Sequence, residues 1–185
     1  MTANGGVDTA PAAEYWIVRE SGRRPYRSGA VVMSTIANPQ TLADLLARVA
    51  AVRPDSQRRW GTLTPGEMLC HLADASDSVL GRRVPPGPPS TDVPRPVLKW
   101  LALYTPLSWP KGAVTRPGVD PHRDGTKPTA FDLDRDRVVT GLRDLAVAPP
   151  KQLLTAHSRF GPMSRADWHR WAYRQVDHHL RQFGH

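Results

Sequence analysis

The feature that most limits how this chain can fold is a proline-rich segment near its middle. Residues 84–96 read VPPGPPSTDVPRP and contain six prolines. Proline inside a helix removes a hydrogen-bond donor and clashes with the preceding turn, so this stretch cannot form the interior of a helix. We therefore interpret residues 83–130 as one long irregular connection, interrupted by a short amphiphilic helix over about residues 97–104.

Two amphipathic helices are predicted before this connection. The first begins with Asn38 as N-cap and Pro39 at the first helical position, and runs to about residue 52. The second begins with Thr64 and Glu67, which have the spacing of a capping box, and ends near Gly81. Both carry an apolar stripe at helical spacing, formed by Leu42, Leu45, Leu46, Val49 and Val52 in the first and by Met68, Leu72, Ala75 and Val79 in the second.

Two further helices are predicted after the connection. The third covers about residues 134–147 and is stopped by two consecutive prolines. The fourth begins with Ser164 and Asp167 at capping-box spacing and ends before Gly184. One arc of the fourth helix, about 100° wide, should face the core, and its members are Trp168, Ala172, Gln175, Val176, His179 and Phe183.

Four amphipathic helices with no credible strand between them predict an all-α fold, a four-helix bundle with one long proline-rich connection between its second and third helices. The chain of 185 residues has the size of one domain. Residues 1–32 lack apolar periodicity, so we expect a mobile N-terminal tail there and the folded domain over residues 33–185.

Composition excludes several classes of protein. The net charge of +8 is spread along the chain and no basic run is interleaved with aromatics, which argues against nucleic-acid binding. No apolar run approaches the roughly 20 residues that cross a bilayer, and we expect no membrane partner. A single cysteine and the lack of a secretory signal pattern predict a cytoplasmic protein. Only four of the 25 basic residues are lysines, which favours a GC-rich, actinobacterial source.

Two of the seven histidines are predicted to face the interior. His179 lies within about 10° of the centre of the buried arc, and His71 lies about 75° from the centre of the stripe on the second helix. A buried imidazole needs a partner, which can be a metal ion or simply a carbonyl or carboxylate. Gln175 is at i−4 to His179, the spacing at which two helical side chains reach one ion, but an amide is a poor ligand for zinc, nickel or copper.

The remaining candidates are assigned no chemistry. His178 follows the buried arc by about 100° and should lie on the flank of the last helix, facing outward. Cys70 is expected to be a small buried packing residue. Surface positions or single hydrogen bonds are expected for four other histidines, His122, His157, His169 and His185.

Three segments resemble the DinB/YfiT-like superfamily. They are WGTLTPGEMLCHLADA at 60–75, WPKG at 109–112, and the stretch from FGPMS at 160–164 to DHHLRQFG at 177–184. The resemblance implies a four-helix bundle in which one histidine of the second helix and two of the last hold a divalent metal. Transferred to this sequence, the metal ligands are His71, Gln175 and His179, with glutamine in place of the second histidine.

The resemblance also implies a class of reaction. Better-understood members are transferases and an isomerase that use low-molecular-weight thiols such as mycothiol or bacillithiol, where a metal favours formation of the thiolate. The first hypothesis is therefore a metal-assisted, thiol-dependent enzyme, with zinc or nickel as cofactor, that supplies no nucleophile of its own. The alternative is a metal-poor bundle that binds a small molecule or a protein. The sequence leaves the catalytic residues unknown and is compatible with a homodimer.

Overall fold

The computed structural model describes residues 33–83, 93–112 and 115–185. The described residues contain five α-helices, α1 (Pro39–Ala51), α2 (Pro65–Val79), α3 (Arg95–Tyr104), α4 (Phe131–Val147) and α5 (Arg165–Gln182). They also contain short 3-10 helices at Pro117–Val119 and Pro150–Gln152, and two strands, β1 (Ala156–His157) and β2 (Gly161–Pro162).

The helix starts follow the capping chemistry of the sequence. Asn38 accepts a hydrogen bond from the Thr41 amide at the start of α1. Thr64 with Glu67 and Ser164 with Asp167 form complete capping boxes at the starts of α2 and α5. Each box satisfies N–H groups that have no partner inside the helix. These three predicted starts are confirmed.

The start of α4 was predicted three residues too late. The helix begins at Phe131 rather than near Asp134. The Asp134 carboxylate accepts hydrogen bonds from the amide and hydroxyl of Thr129, at 2.8 and 3.3 Å. Asp134 therefore lies inside the first turn of α4, where an acidic side chain is favourable, and is not the residue at which the helix begins.

A shared core holds α1, α2, α4 and α5 together. The predicted stripes of α1 and α2 are buried in it at Leu45, Val49, Met68, Leu72 and Val79. Helices α2 and α4 pack tightly against each other, since a Cβ atom built on Gly141 would lie 2.9 Å from Cβ of Ser76.

Helix α2 is buried on nearly all sides. Residues 115–130, which we call the covering segment, lie over the face of α2 that its apolar stripe leaves free. Asp74 on that face is completely buried. Its carboxylate accepts from the amide and hydroxyl of Thr126, both at 2.7 Å, and from Arg137 at 3.1 Å. Arg83 lies 3.5 Å from the same carboxylate. These bonds fasten the covering segment and α4 to α2.

The prediction of a mostly helical chain is confirmed. The expectation that no strand would form is wrong at the β1–β2 hairpin, which is antiparallel and pairs Ala156 with Pro162 and His157 with Gly161. The predicted tail, residues 1–32, lies outside the described residues, and so does most of the proline run. No helix in the described part of the chain has the length and apolarity needed to cross a membrane.

Candidate functional site

A cavity of about 560 Å³ lies between α2, α3, α5 and the segments that cover them. This volume is within the range of small-molecule sites in proteins. Aromatic and aliphatic side chains form much of its lining, including Trp60, Leu63, Leu98, Trp109, Phe160, Trp168 and Trp171. Four polar residues of α2 and α5, which we call the histidine cluster, also line it: His71, Gln175, His178 and His179.

Helix α2 brings His71 to the cavity, and the covering segment fixes its ring. Nδ1 of His71 lies 2.7 Å from the Val119 carbonyl oxygen, which can only accept, so Nδ1 carries the hydrogen and donates it. In the neutral ring Nε2 then carries the lone pair. The Gln175 amide nitrogen lies 2.8 Å from Nε2 and donates to it.

His179 is held in the same tautomer by its own helix. Its Nδ1 lies 2.8 Å from Oε1 of Gln182, so Nδ1–H donates and Nε2 carries the lone pair. A Cβ atom built on Gly61 would lie 2.6 Å from Nε2 of Gln182, so only glycine leaves room for this amide. The rings of His71 and His179 meet edge to face with centroids 4.6 Å apart. The prediction that these two histidines approach each other in the interior is confirmed.

The prediction that His178 faces outward is wrong. His178 is 8% exposed and lines the cavity, with ring centroids 4.8 Å from Trp60, 5.8 Å from Trp109 and 5.2 Å from His179. The segments that carry Trp60 and Trp109 cover the flank of α5, which a helical wheel treats as solvent. Nδ1 of His178 is buried and has no hydrogen-bond partner among the described residues.

All three imidazoles of the cluster are held neutral. Burial lowers the pKa of His71, opposed by the bond to Val119 and the charges of Asp74 and Asp120. Burial and then the neighbouring His71 hold the pKa of His179 well below its usual range. Burial and then Arg181 lower the pKa of His178 to about 4. At neutral pH the cluster therefore offers lone pairs and N–H groups but no charge.

Of the three predicted metal ligands, two are arranged as metal ligands are and Gln175 is not. A metal-binding histidine usually donates its other N–H to a carbonyl or carboxylate, as His71 and His179 do here. Gln175 does not complete the set, since its N–H occupies the lone pair of His71. Across the described residues, no group of three or more His, Cys, Asp or Glu side chains is placed to hold a metal ion.

A second polar group on the cavity lining was not predicted from the sequence. It consists of Arg116, His157, Ser158 and Arg159, which we call the arginine cluster. The last three belong to the β1–β2 hairpin, whose strands are too short to leave an alternating sequence pattern. His157 was expected to lie at the surface or to make a single hydrogen bond, and it makes such a bond, since Nδ1 accepts from the Arg159 amide at 3.1 Å.

Comparison of this chain with protein-family models, with curated proteins and with solved structures gave no match.

Proposed function

We propose that this chain is a DinB-like helical protein that binds an uncharged, ring-containing part of a small organic molecule in its cavity, without a resident metal ion. The observation that carries the proposal is the bond from Gln175 to His71 on the cavity lining. This bond satisfies the nitrogen that a metal would need and leaves a neutral surface between aromatic walls. Such walls favour a planar apolar ligand.

The histidine cluster selects a hydrogen-bonding group on that ligand. Nε2 of His179 carries a lone pair that can accept from a hydroxyl or thiol. In the described part of the chain, the buried Nδ1 of His178 has no hydrogen-bond partner. A buried acceptor without a partner costs less than a buried N–H without one, so the hydrogen of this ring resides on Nε2. Two adjacent histidines thus present one acceptor and one donor.

A titration with the neutral dye N-phenyl-1-naphthylamine in the presence of a chelator tests this function. The fluorescence of the dye should rise when it binds to the wild-type protein. Ala102→Trp fills part of the cavity and should weaken binding at least tenfold, about 1.4 kcal/mol. Ala47→Trp, at an exposed position of α1, is the matched control and should bind like wild type. Absence of binding, or equal binding by all three proteins, would overturn the proposal.

The second candidate is the metal-assisted, thiol-dependent enzyme, and one observation favours it. His71 and His179 both have Nδ1–H anchored, so the lone pair is on Nε2 in each ring, the tautomer that metal ligands use. These two residues would hold the ion, and Gln175 would have to release His71. A bound divalent metal would supply stabilisation of a thiolate from mycothiol or bacillithiol. The chain's part would be to orient the two imidazoles and exclude water.

Metal analysis of protein purified without a polyhistidine tag separates the two candidates. The binding function predicts far less than one zinc or nickel ion per chain and no change in metal content for His71→Ala. A stoichiometric metal ion that is lost in His71→Ala would instead establish the second candidate.

A further inference from the structure

The arginine cluster is built by the β1–β2 hairpin and by the segment that precedes the 3-10 helix at Pro117–Val119. The hairpin turn places Ser158 and Arg159 on the cavity lining, next to His157. Arg116 donates from Nη1 to the Ser158 hydroxyl, which joins the two segments. The ring of His157 stacks on Phe160 with centroids 4.4 Å apart and lies within 6 Å of Trp168 and Trp171. These contacts hold Arg116, Ser158 and the ring of His157 in place on the cavity lining.

The arginine cluster carries positive charge, and Arg159 has no acidic partner among the described residues. No carboxylate of the described residues lies within 4 Å of the Arg159 guanidinium, and Asp120 is the sole acidic residue among those described on the cavity lining. Asp120 already accepts from the His122 amide at 2.9 Å and lies 3.9 Å from Arg123. Burial and then the charge of Arg159 lower the pKa of Arg116, because desolvation and a neighbouring positive charge both disfavour the protonated guanidinium.

His157 does not add a third positive charge. Burial, followed by Arg116 and Arg159, lowers its pKa to about 3, so the ring is neutral at physiological pH. An anion entering the cavity would thus meet two guanidinium groups beside a flat neutral ring. It would also relieve the repulsion between the two arginines.

We infer that the ligand of this cavity is an organic anion whose acidic group is held by Arg159 and Arg116 while its apolar body lies against the aromatic walls. Guanidinium groups bind carboxylates, sulfonates and phosphates through paired, charge-assisted hydrogen bonds. Along α5, Trp171 beside the arginine cluster and His179 in the histidine cluster are separated by about 12 Å, at 1.5 Å per residue. The ligand class is therefore an elongated acid with a hydrogen-bonding group far from its acidic end. This inference rests on the small-molecule function proposed above.

Two dyes that differ in one group test the inference. The dye 8-anilinonaphthalene-1-sulfonate carries a sulfonate on the ring system of N-phenyl-1-naphthylamine, which is neutral. Arg159→Gln should lower the affinity for the sulfonate dye about tenfold, the size expected for loss of a charge-assisted hydrogen bond. It should change the affinity for the neutral dye less than twofold. Arg159→Lys keeps the charge and should restore part of the preference for the sulfonate.

The matched control is Arg143→Gln, which removes an equal charge from an exposed position on α4. Binding of both dyes should be unchanged in this variant. If Arg143→Gln and Arg159→Gln lose affinity for the sulfonate dye equally, the dye responds to the net charge of the protein and the inference is overturned. The proposed function fails separately if wild-type protein does not bind the neutral dye or if Ala102→Trp binds it normally. Circular dichroism of each variant checks that the helices are retained.

Discussion

Among single residues, position 175 decides what His71 can bind, because Nε2 of Gln175 lies 2.8 Å from Nε2 of His71. Gln175→His would replace an N–H donor with a third imidazole beside His71 and His179. Three imidazoles suit zinc or nickel and leave positions open for other ligands. We expect zinc or nickel affinity to rise at least tenfold, about 1.4 kcal/mol. Calorimetric titration of both proteins measures this change.

The control for that substitution is Gln152→His, which adds the same side chain at an exposed site on the 3-10 helix Pro150–Gln152. It should leave metal affinity at the wild-type level. If Gln175→His also binds metal no better than wild type, the geometry around His71 does not admit a third ligand. Metal should further stabilise Gln175→His against unfolding by mass action.

We expect the thiol of Cys70 to be unreactive. The nucleophile of any reaction in the cavity would then have to come from the bound ligand. Cys70 is fully buried, as predicted from the sequence, and burial with the neighbouring Asp134 raises its pKa to about 12. Reactivity follows the thiolate, so Ellman's reagent should modify native protein at least ~100-fold more slowly than urea-unfolded protein. Because the chain contains one cysteine, the absorbance reports this site alone. Rapid modification of the native protein would mean that α2 and α4 separate readily.

For whole elements, the contact between α2 and α4 depends on the absence of a side chain at Gly141. A Cβ there would lie 2.9 Å from Cβ of Ser76, closer than packed carbon atoms allow. Gly141→Ala should therefore lower the free energy of unfolding by about 1–3 kcal/mol, although alanine favours helix more than glycine does. Urea denaturation measures this difference.

A double-mutant cycle with Ser76→Gly assigns the cause. Removing Cβ of Ser76 should make Gly141→Ala neutral or stabilising, because the methyl group then has room. Additive effects of the two substitutions would place the cost elsewhere. The matched control is Gly81→Ala, whose added Cβ would meet no described atom within 4 Å, although its positive φ carries a backbone cost of its own.

The sequence predicted elements more completely than it predicted the site. Helix starts at Asn38, Thr64 and Ser164 were recognisable because capping depends on residues three positions apart. Helical periodicity predicted that His71 and His179 both face the interior, and the resemblance to the DinB/YfiT-like superfamily implied that they share one site. His178 was misplaced because a wheel sees one helix and not the tryptophans that cover it. Arg159 was missed because its position depends on a hairpin with two-residue strands, which local sequence does not encode.

The covering segment after residue 115 is the clearest case of tertiary structure that periodicity does not reveal. It supplies Val119 to fix the tautomer of His71 and Thr126 to satisfy the buried Asp74. Neither bond has a fixed spacing along the chain, since the partners are 48 and 52 residues apart. The apolar stripe of α2 was predicted correctly, but the burial of its other face was not.

For the molecule as a whole, neutral buried histidines make stability depend on pH. Burial and then two arginines lower the pKa of His157 to about 3, and burial and then Arg165 lower the pKa of His169. In the unfolded chain both rings titrate near an ordinary pKa of about 6.5. Below that pH the unfolded state binds more protons than the folded state, so acidification favours unfolding. The stabilisation is complete above pH ~6.5 and is lost as the pH falls towards the folded-state pKa.

The contribution of His157 can be isolated with His157→Phe, which keeps a ring to stack on Phe160 and removes the titrating group. Urea unfolding of both proteins is followed from about pH 7.5 down to about pH 4.5, with chelator present. The wild-type free energy of unfolding should fall more steeply than that of the variant, by up to about 1.4 kcal/mol per pH unit. The variant will be less stable near neutral pH, because the Arg159 amide loses its acceptor, so the slope is the decisive quantity. Parallel curves would mean that His157 keeps an ordinary pKa, and so that its ring is less buried and farther from the two arginines than the structure places it.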